Sequence, residues 1–232
     1  MIGGQACVLY GAAEFSIDAD IVLLASEQNL ELLRQALRAL EARRVALPPF
    51  DLQYLLRGHA IHFRCYNPDA LKVRIDVMSV LRGVDEFDRL WARRVTFLGE
   101  SGEDINVLSI SDLVQAKKTQ RDKDWPMIRR LIEADYVAVE TPSIQRVTFW
   151  LLESRTPPML LELVNNHRDL AVSLRGRRRA IVAAFDANEA AVEEELEKEQ
   201  KMERALDRRY WEPLRKELEE LRGMSLPTEE AV

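Results

Sequence analysis

The chain is poor in the residues that staple or metallate small folds. Only two of its 232 residues are cysteine, Cys7 and Cys65, and only three are histidine, His59, His62 and His167. Two such thiols make neither a disulfide framework nor a Cys-x-x-Cys knuckle, which excludes a disulfide-rich secreted scaffold and a zinc ribbon and fits a reducing compartment. No histidine has a second histidine or a cysteine at ligand spacing. No apolar run approaches the ~20 residues that cross a bilayer, and the first residues lack the basic and apolar regions of a signal peptide. The expectation is a cytoplasmic protein with no membrane partner. Positive charge is not in excess either. The formal net charge is −6, so no broad basic surface for nucleic acid follows from the total, although the run from Arg175 to Arg179 is a local basic cluster able to grip phosphates. Internal repeats and low-complexity segments are absent.

What is present is ample apolar material, 47% of the chain, enough for one large domain or a compact domain with an extension. Gly3-Gly4 followed by small and apolar residues reads as a tight turn feeding a short helix that ends near Gly11 or Glu14. A strand over 16–26 comes next, then an amphipathic helix over 27–44 carrying Leu30, Leu33, Ala36, Leu37 and Leu40, with Pro48 and Pro49 marking its end. Period-two alternation places His59, Ile61, Phe63 and Cys65 on one strand face and Leu71, Val73, Ile75 and Val77 on another; the turn residues from Asn67 to Ala70 make these strands hairpin neighbours. Further short strands fit 94–97 and 105–108, with helices over 111–119 and 125–134. Beyond residue 139 the strand signals vanish. Helical periodicity continues to Arg222, with Glu194/Lys198 and Glu197/Lys201 at i,i+4 and Pro213 placed to bend or interrupt the last helix.

The chemistry gathers on acids. Asp18 and Asp20, two apart on one strand, send both carboxylates to the same face, close enough to share a hard cation. Asp76 lies among odd-numbered apolar positions and so faces away from Val73 and Ile75, alongside Lys72 and Arg74. If the two strands are neighbours, three carboxylates converge. Clustered like charges raise one another's pKa unless a cation neutralises them, which is why phosphoryl-transfer sites combine grouped acids with divalent metals. Gly3 and Gly4 at a helix start let backbone N–H groups approach phosphates. His62 shares a strand face with Arg64 and Tyr66 and could line a site there. Lys117 and Arg121 stand at i,i+4. Phe149, Trp150, Tyr210 and Trp211 fall within apolar-periodic helices and read as core.

This order, Gly-Gly, a short helix, a strand with Asp-x-Asp, then an acid on a later strand, resembles the nucleotidyltransferase superfamily. The segment from Ser111 to Leu131, with its Lys117, Lys118, Arg121, Lys123 and Asp124, resembles that of minimal and abortive-infection or toxin-type members. The resemblance covers roughly residues 1–135. It implies an α+β fold, a mixed β-sheet flanked by helices over 1–138, followed by an all-helical C-terminal region over 139–232 with a long helix. It also implies transfer of a nucleoside monophosphate from a nucleoside triphosphate to a hydroxyl of an RNA, protein or small-molecule acceptor, with Mg²⁺ or Mn²⁺. Gly3 and Gly4 would cradle the phosphates. Asp18, Asp20 and Asp76 would hold the metal, Asp76 also orienting the acceptor hydroxyl, and Lys117, Arg121 and Lys123 would contact the triphosphate or base. Two positions depart from the family pattern: the apolar strand before Gly-Gly is here only Met1-Ile2, and Ile17 stands where relatives often carry Arg or Thr. A catalytically inactive binding module of the same fold is the alternative, within a toxin–antitoxin pair whose C-terminal helix meets a small protein partner or a second copy.

Overall fold

The computed structural model describes residues 1–224 and 230–231. The first half of the chain runs α1 (Gly3–Leu9), β1 (Ala19–Val22), α2 (Glu27–Ala39), β2 (Arg43–Arg44), α3 (Leu52–Arg57), β3 (Ile61–Arg64), β4 (Arg74–Met78), α4 (Phe87–Ala92), β5 (Val95–Leu98), β6 (Asp104–Val107) and α5 (Ile110–Ala116). The second runs α6 (Asp124–Ala138), α7 (Ile144–Glu153), α8 (Pro157–Asn166), α9 (Arg168–Leu174), α10 (Arg179–Ala184), α11 (Glu189–Gly223) and β7 (Glu230–Ala231). The result is an α+β chain with a small mixed sheet and a long helix near its end. No helix among the described residues is long and apolar enough to cross a membrane.

The chain divides into two compact units: one contains 1–9, 13–116 and 209–232, the other 10–12 and 117–208. This division differs from a boundary at 138, because α6 packs with the later helices and the end of α11 returns to the first unit. The C-terminal region is also not wholly helical, since β7 supplies a strand.

In the first unit the sheet order is β1-β4-β3-β2-β7, with β1 parallel to β4 and the remaining pairs antiparallel. The alternation seen in the sequence sets the buried face: Ile61, Phe63, Cys65 and Val77 are fully buried with Leu30, Leu37 and Leu55. The expected hairpin forms as β3 against β4. Its connection is a 3-10 turn over Pro68–Ala70, started by Asn67, whose side chain accepts the Asp69 N–H. β5 and β6 form a separate antiparallel pair. The helix expected over 27–44 stops at Ala39, since Glu41 turns left-handed (φ 48°) and Arg44 enters β2 buried, its guanidinium donating to the Ala46 carbonyl.

Helix α11 continues through Pro213 without interruption, although a proline there has no N–H for the Arg209 carbonyl. Leu221 joins Leu47 and Tyr54 in a small buried cluster, and Glu217 accepts a hydrogen bond from buried His59 at 2.7 Å and pairs with Arg57 at 2.7 Å. The His59 hydrogen bond chiefly, then the His59 and Arg57 charges, hold the Glu217 carboxyl below its ordinary 4.5. A carboxyl depressed in the folded state stabilises above its unfolded pKa, and that contribution is lost as pH falls through the folded value. Urea midpoints measured across the acid range should therefore fall less steeply for Glu217→Gln than for the native chain; parallel acid limbs would contradict this.

The second unit buries Ile128, Leu131, Ile132, Leu151, Leu160 and Ile181, with Trp150 its largest fully buried side chain. Trp150 stacks edge-on against Tyr136 and donates its indole N–H to Asp135 at 2.7 Å. Phe149, Tyr210 and Trp211 are only half-buried.

Candidate functional site

Strand register builds the site. Asp20 on β1 is the register partner of Asp76 on β4, and Asp76 is the partner of His62 on β3. Register partners project from the same sheet face, so the three side chains form a row across adjacent strands. Arg74, two residues before Asp76, projects there as well. Its Nε donates to Asp76 Oδ1 at 2.7 Å, and His62 Nδ1 lies 2.8 Å from the same oxygen. The same His62 Nδ1 also lies 3.0 Å from a terminal Arg74 nitrogen, so its tautomer sets whether it donates to the carboxylate or accepts from the guanidinium. Burial works to raise the Asp76 carboxyl, but the hydrogen bonds and charges of His62 and Arg74 prevail and hold it below its ordinary 3.8.

Beside Asp20 lies the Gly-Gly turn. Gly3 adopts a left-handed φ of 70°, and a Cβ there would overlap the Asp20 carboxylate; a Cβ on Gly4 would overlap the Ser16 hydroxyl. The Gly4 N–H donates to Asp20 Oδ2 at 3.4 Å. The turn is fastened by the buried Cys7 thiol, which donates to the Gly3 carbonyl at 3.1 Å, and by the Ile2 N–H, which donates to the Asp20 carbonyl at 2.9 Å. Met1-Ile2 thus lies against β1 through a single bridge. Gly3→Ala meets both a forbidden backbone angle and a collision with Asp20. It should cost about 1–2 kcal/mol for the backbone alone, read as a lowered urea midpoint.

Asp18 is placed differently from the sequence expectation. It sits exposed in a bend, because pairing with β4 begins only at Ala19↔Ile75. Ser16 anchors that bend: its hydroxyl donates to the Asp18 carbonyl at 3.3 Å, and its own carbonyl accepts Gln5 Nε2 at 2.5 Å. Asp18 and Asp20 therefore do not share a strand, although they remain two residues apart beside the same turn. Among the described residues no group of three or more His, Cys, Asp or Glu side chains is arranged to hold a metal ion.

The basic segment also differs. α5 ends at Ala116, so Lys117, Arg121 and Lys123 lie in the loop before α6 and share no helical face. Thr119 breaks the helix, since its hydroxyl donates to Asp124 Oδ2 at 2.6 Å and accepts the Arg121 N–H at 3.1 Å. Asp124, buried in the first turn of α6, pairs with Arg121 Nε at 2.7 Å and Lys117 Nζ at 3.5 Å. A carboxylate suits the positive end of that helix. Lys123 is exposed and makes no capping bond.

In the sequence His62 stands on a strand face that could line a site, and Arg74 shares a face with Asp76, but nothing joins His62 to that pair. The signal that could have singled them out was the hairpin itself: once β3 and β4 are paired, His62 and Arg74 bring the side-chain nitrogens that meet Asp76. No protein-family model matches the chain, and no curated protein matches it.

Proposed function

We propose that the protein is a metal-dependent nucleotidyltransferase, moving a nucleoside monophosphate from a nucleoside triphosphate to a hydroxyl of an RNA, protein or small-molecule acceptor, on a nucleotidyltransferase-type arrangement of its mixed sheet and helices. The observation that carries this reading is the register pairing of Asp20 with Asp76 on parallel strands, directly against a Gly-Gly turn that has no room for side chains. Hard carboxylate oxygens at that position suit Mg²⁺ or Mn²⁺, with Asp20 and Asp76 as ligands and Asp18 able to join from its bend. When bound, the cation would neutralise phosphate charge and polarise the transferring group.

The chain's own groups do the rest. Gly3 and Gly4 admit the Asp20 carboxylate and the Ser16 hydroxyl where side chains would otherwise stand, and a phosphate approaching that backbone would have to displace Asp20 from the Gly4 N–H. Asp76, kept ionised by Arg74 and His62, orients the acceptor hydroxyl. The hydroxyl oxygen then releases its proton to solvent and bonds to the α-phosphorus as the α–β bridging oxygen departs with pyrophosphate. Lys117, Arg121 and Lys123 belong to the second unit, where Asp124 engages Lys117 and Arg121, and this reading rests on the first unit alone.

A second reading, the same fold binding nucleotide without turnover, is favoured by one observation: Arg74 and His62 converge on a single Asp76 oxygen, where they already do part of a metal's neutralising work. The test is to incubate purified protein with each labelled triphosphate, Mg²⁺ or Mn²⁺, and total cellular RNA and protein. Labelled product supports the transferase. Calorimetric nucleotide binding without product supports the binding module, and neither signal overturns both.

A further inference from the structure

The cluster from Arg175 to Arg179, which the proposed transferase leaves unused, borders a cavity of about 620 Å³ built entirely from the second unit. That volume falls within the range of small-molecule sites. Arg178 lines it as a fixed wall: its guanidinium donates to the Leu151 and Ser154 carbonyls at 2.8 and 2.7 Å and pairs with Glu199 at 2.9 Å. The acids of the lining are already engaged. Glu153 meets Lys118 at 2.8 Å, Glu195 meets Lys198 at 2.7 Å, and Glu199 also holds Arg155 at 2.9 Å.

Two features are left over, both calling for negative charge. Arg177 and Arg179, exposed on either side of Arg178, pair with no carboxylate among the described residues. Arg155, whose side chain is only 9% exposed, has an Nε–H buried with no hydrogen-bond partner among the described residues. Apolar surface from Leu152 and Met202 completes the lining.

We infer that this cavity is a binding site for a small organic phosphate of nucleoside-phosphate size, gripped by Arg177 and Arg179, with Arg155 as a buried donor and Leu152 and Met202 against the organic part. Arginine forks suit phosphate oxygens, and charge-assisted bonds of this kind are the strong ones. The inference is independent of the transferase reading, since no residue of the Asp20–Asp76 site belongs to the cavity.

The test uses the full chain in EDTA, with ADP and inorganic pyrophosphate as probes in calorimetry. The native protein should bind ADP more tightly than pyrophosphate. The double variant Arg177→Ala/Arg179→Ala should weaken ADP by about tenfold or more. Arg175→Ala, in the same basic run but outside the cavity, should change it by less than about twofold. Unchanged unfolding temperatures would confirm that these exposed substitutions leave the fold intact. Four results would overturn the inference: no binding of either probe, pyrophosphate binding as well as or better than ADP, equal losses from Arg175→Ala and the double variant, or binding of a single-stranded oligonucleotide with none of ADP.

Discussion

Asp20→Asn is expected to reduce metal-dependent nucleotidyl transfer by at least about 100–1000-fold while leaving thermal unfolding almost unmoved. The substitution is isosteric in heavy atoms, and its amide oxygen can still accept the Gly4 N–H. It removes one negative charge from the row formed with Asp76, and that charge is what would draw the cation that in turn holds the triphosphate. Single-turnover transfer with labelled triphosphate, in Mg²⁺ and in Mn²⁺, is the measurement. Full transfer by Asp20→Asn would end the transferase reading. Asp76→Asn makes a poorer comparison, because losing that carboxylate also leaves Arg74 and His62 without their shared acceptor, so lost activity would be mixed with a local rearrangement.

The parts of this site that could be read from the sequence were those governed by period two. Alternation through Ile61, Phe63 and Cys65 and through Val73, Ile75 and Val77 fixed the faces of β3 and β4, and with them the outward direction of Asp76. Pairing between β1 and β4 is not local, and nothing in Asp-x-Asp announces it; only the folded register brings Asp20 beside Asp76. The same register leaves Asp18 outside the strand, because a ladder ends where its partner ends, not where the acid pattern does. Lys117 and Arg121 looked like one helix face because four-residue spacing is a helical signal. Side-chain competition by Thr119 and Asp124 broke that helix, an effect periodicity does not register. Short elements escaped for a related reason. β2 is two residues long and depends on a buried arginine, while α3 is a six-residue helix begun by Asp51, whose carboxylate accepts the Gln53 N–H at 2.9 Å.

The largest expected loss of stability comes from Arg178→Ala. Leu151 and Ser154 stand at the C-terminal end of α7, where carbonyls have no intrahelical donor, and the Arg178 guanidinium supplies both with hydrogen bonds in a position 4% exposed. It also shares Glu199 with Arg155, so truncation leaves that carboxylate with half its counter-charge. Breaking one side of a buried ionic group typically costs about 3–5 kcal/mol, read here as a fall of about 1–2 M in the urea midpoint. Arg178→Lys keeps the charge but cannot reach two carbonyls and a carboxylate at once, and should recover only part of the loss. If Arg178→Ala unfolds at the native midpoint, the guanidinium is not the cap that its geometry describes.

The unit that carries Asp20 and Asp76 is assembled from stretches at both ends of the described chain, whereas the helical unit between them is nearly continuous in sequence. Synthesis proceeds from the N-terminus at about 5–20 residues per second. On the ribosome, therefore, the helical unit has its whole sequence available while the first unit still lacks Glu217 and Leu221 of α11 and the edge strand β7. The carboxylate row is thus present in the nascent chain before the elements that complete its unit.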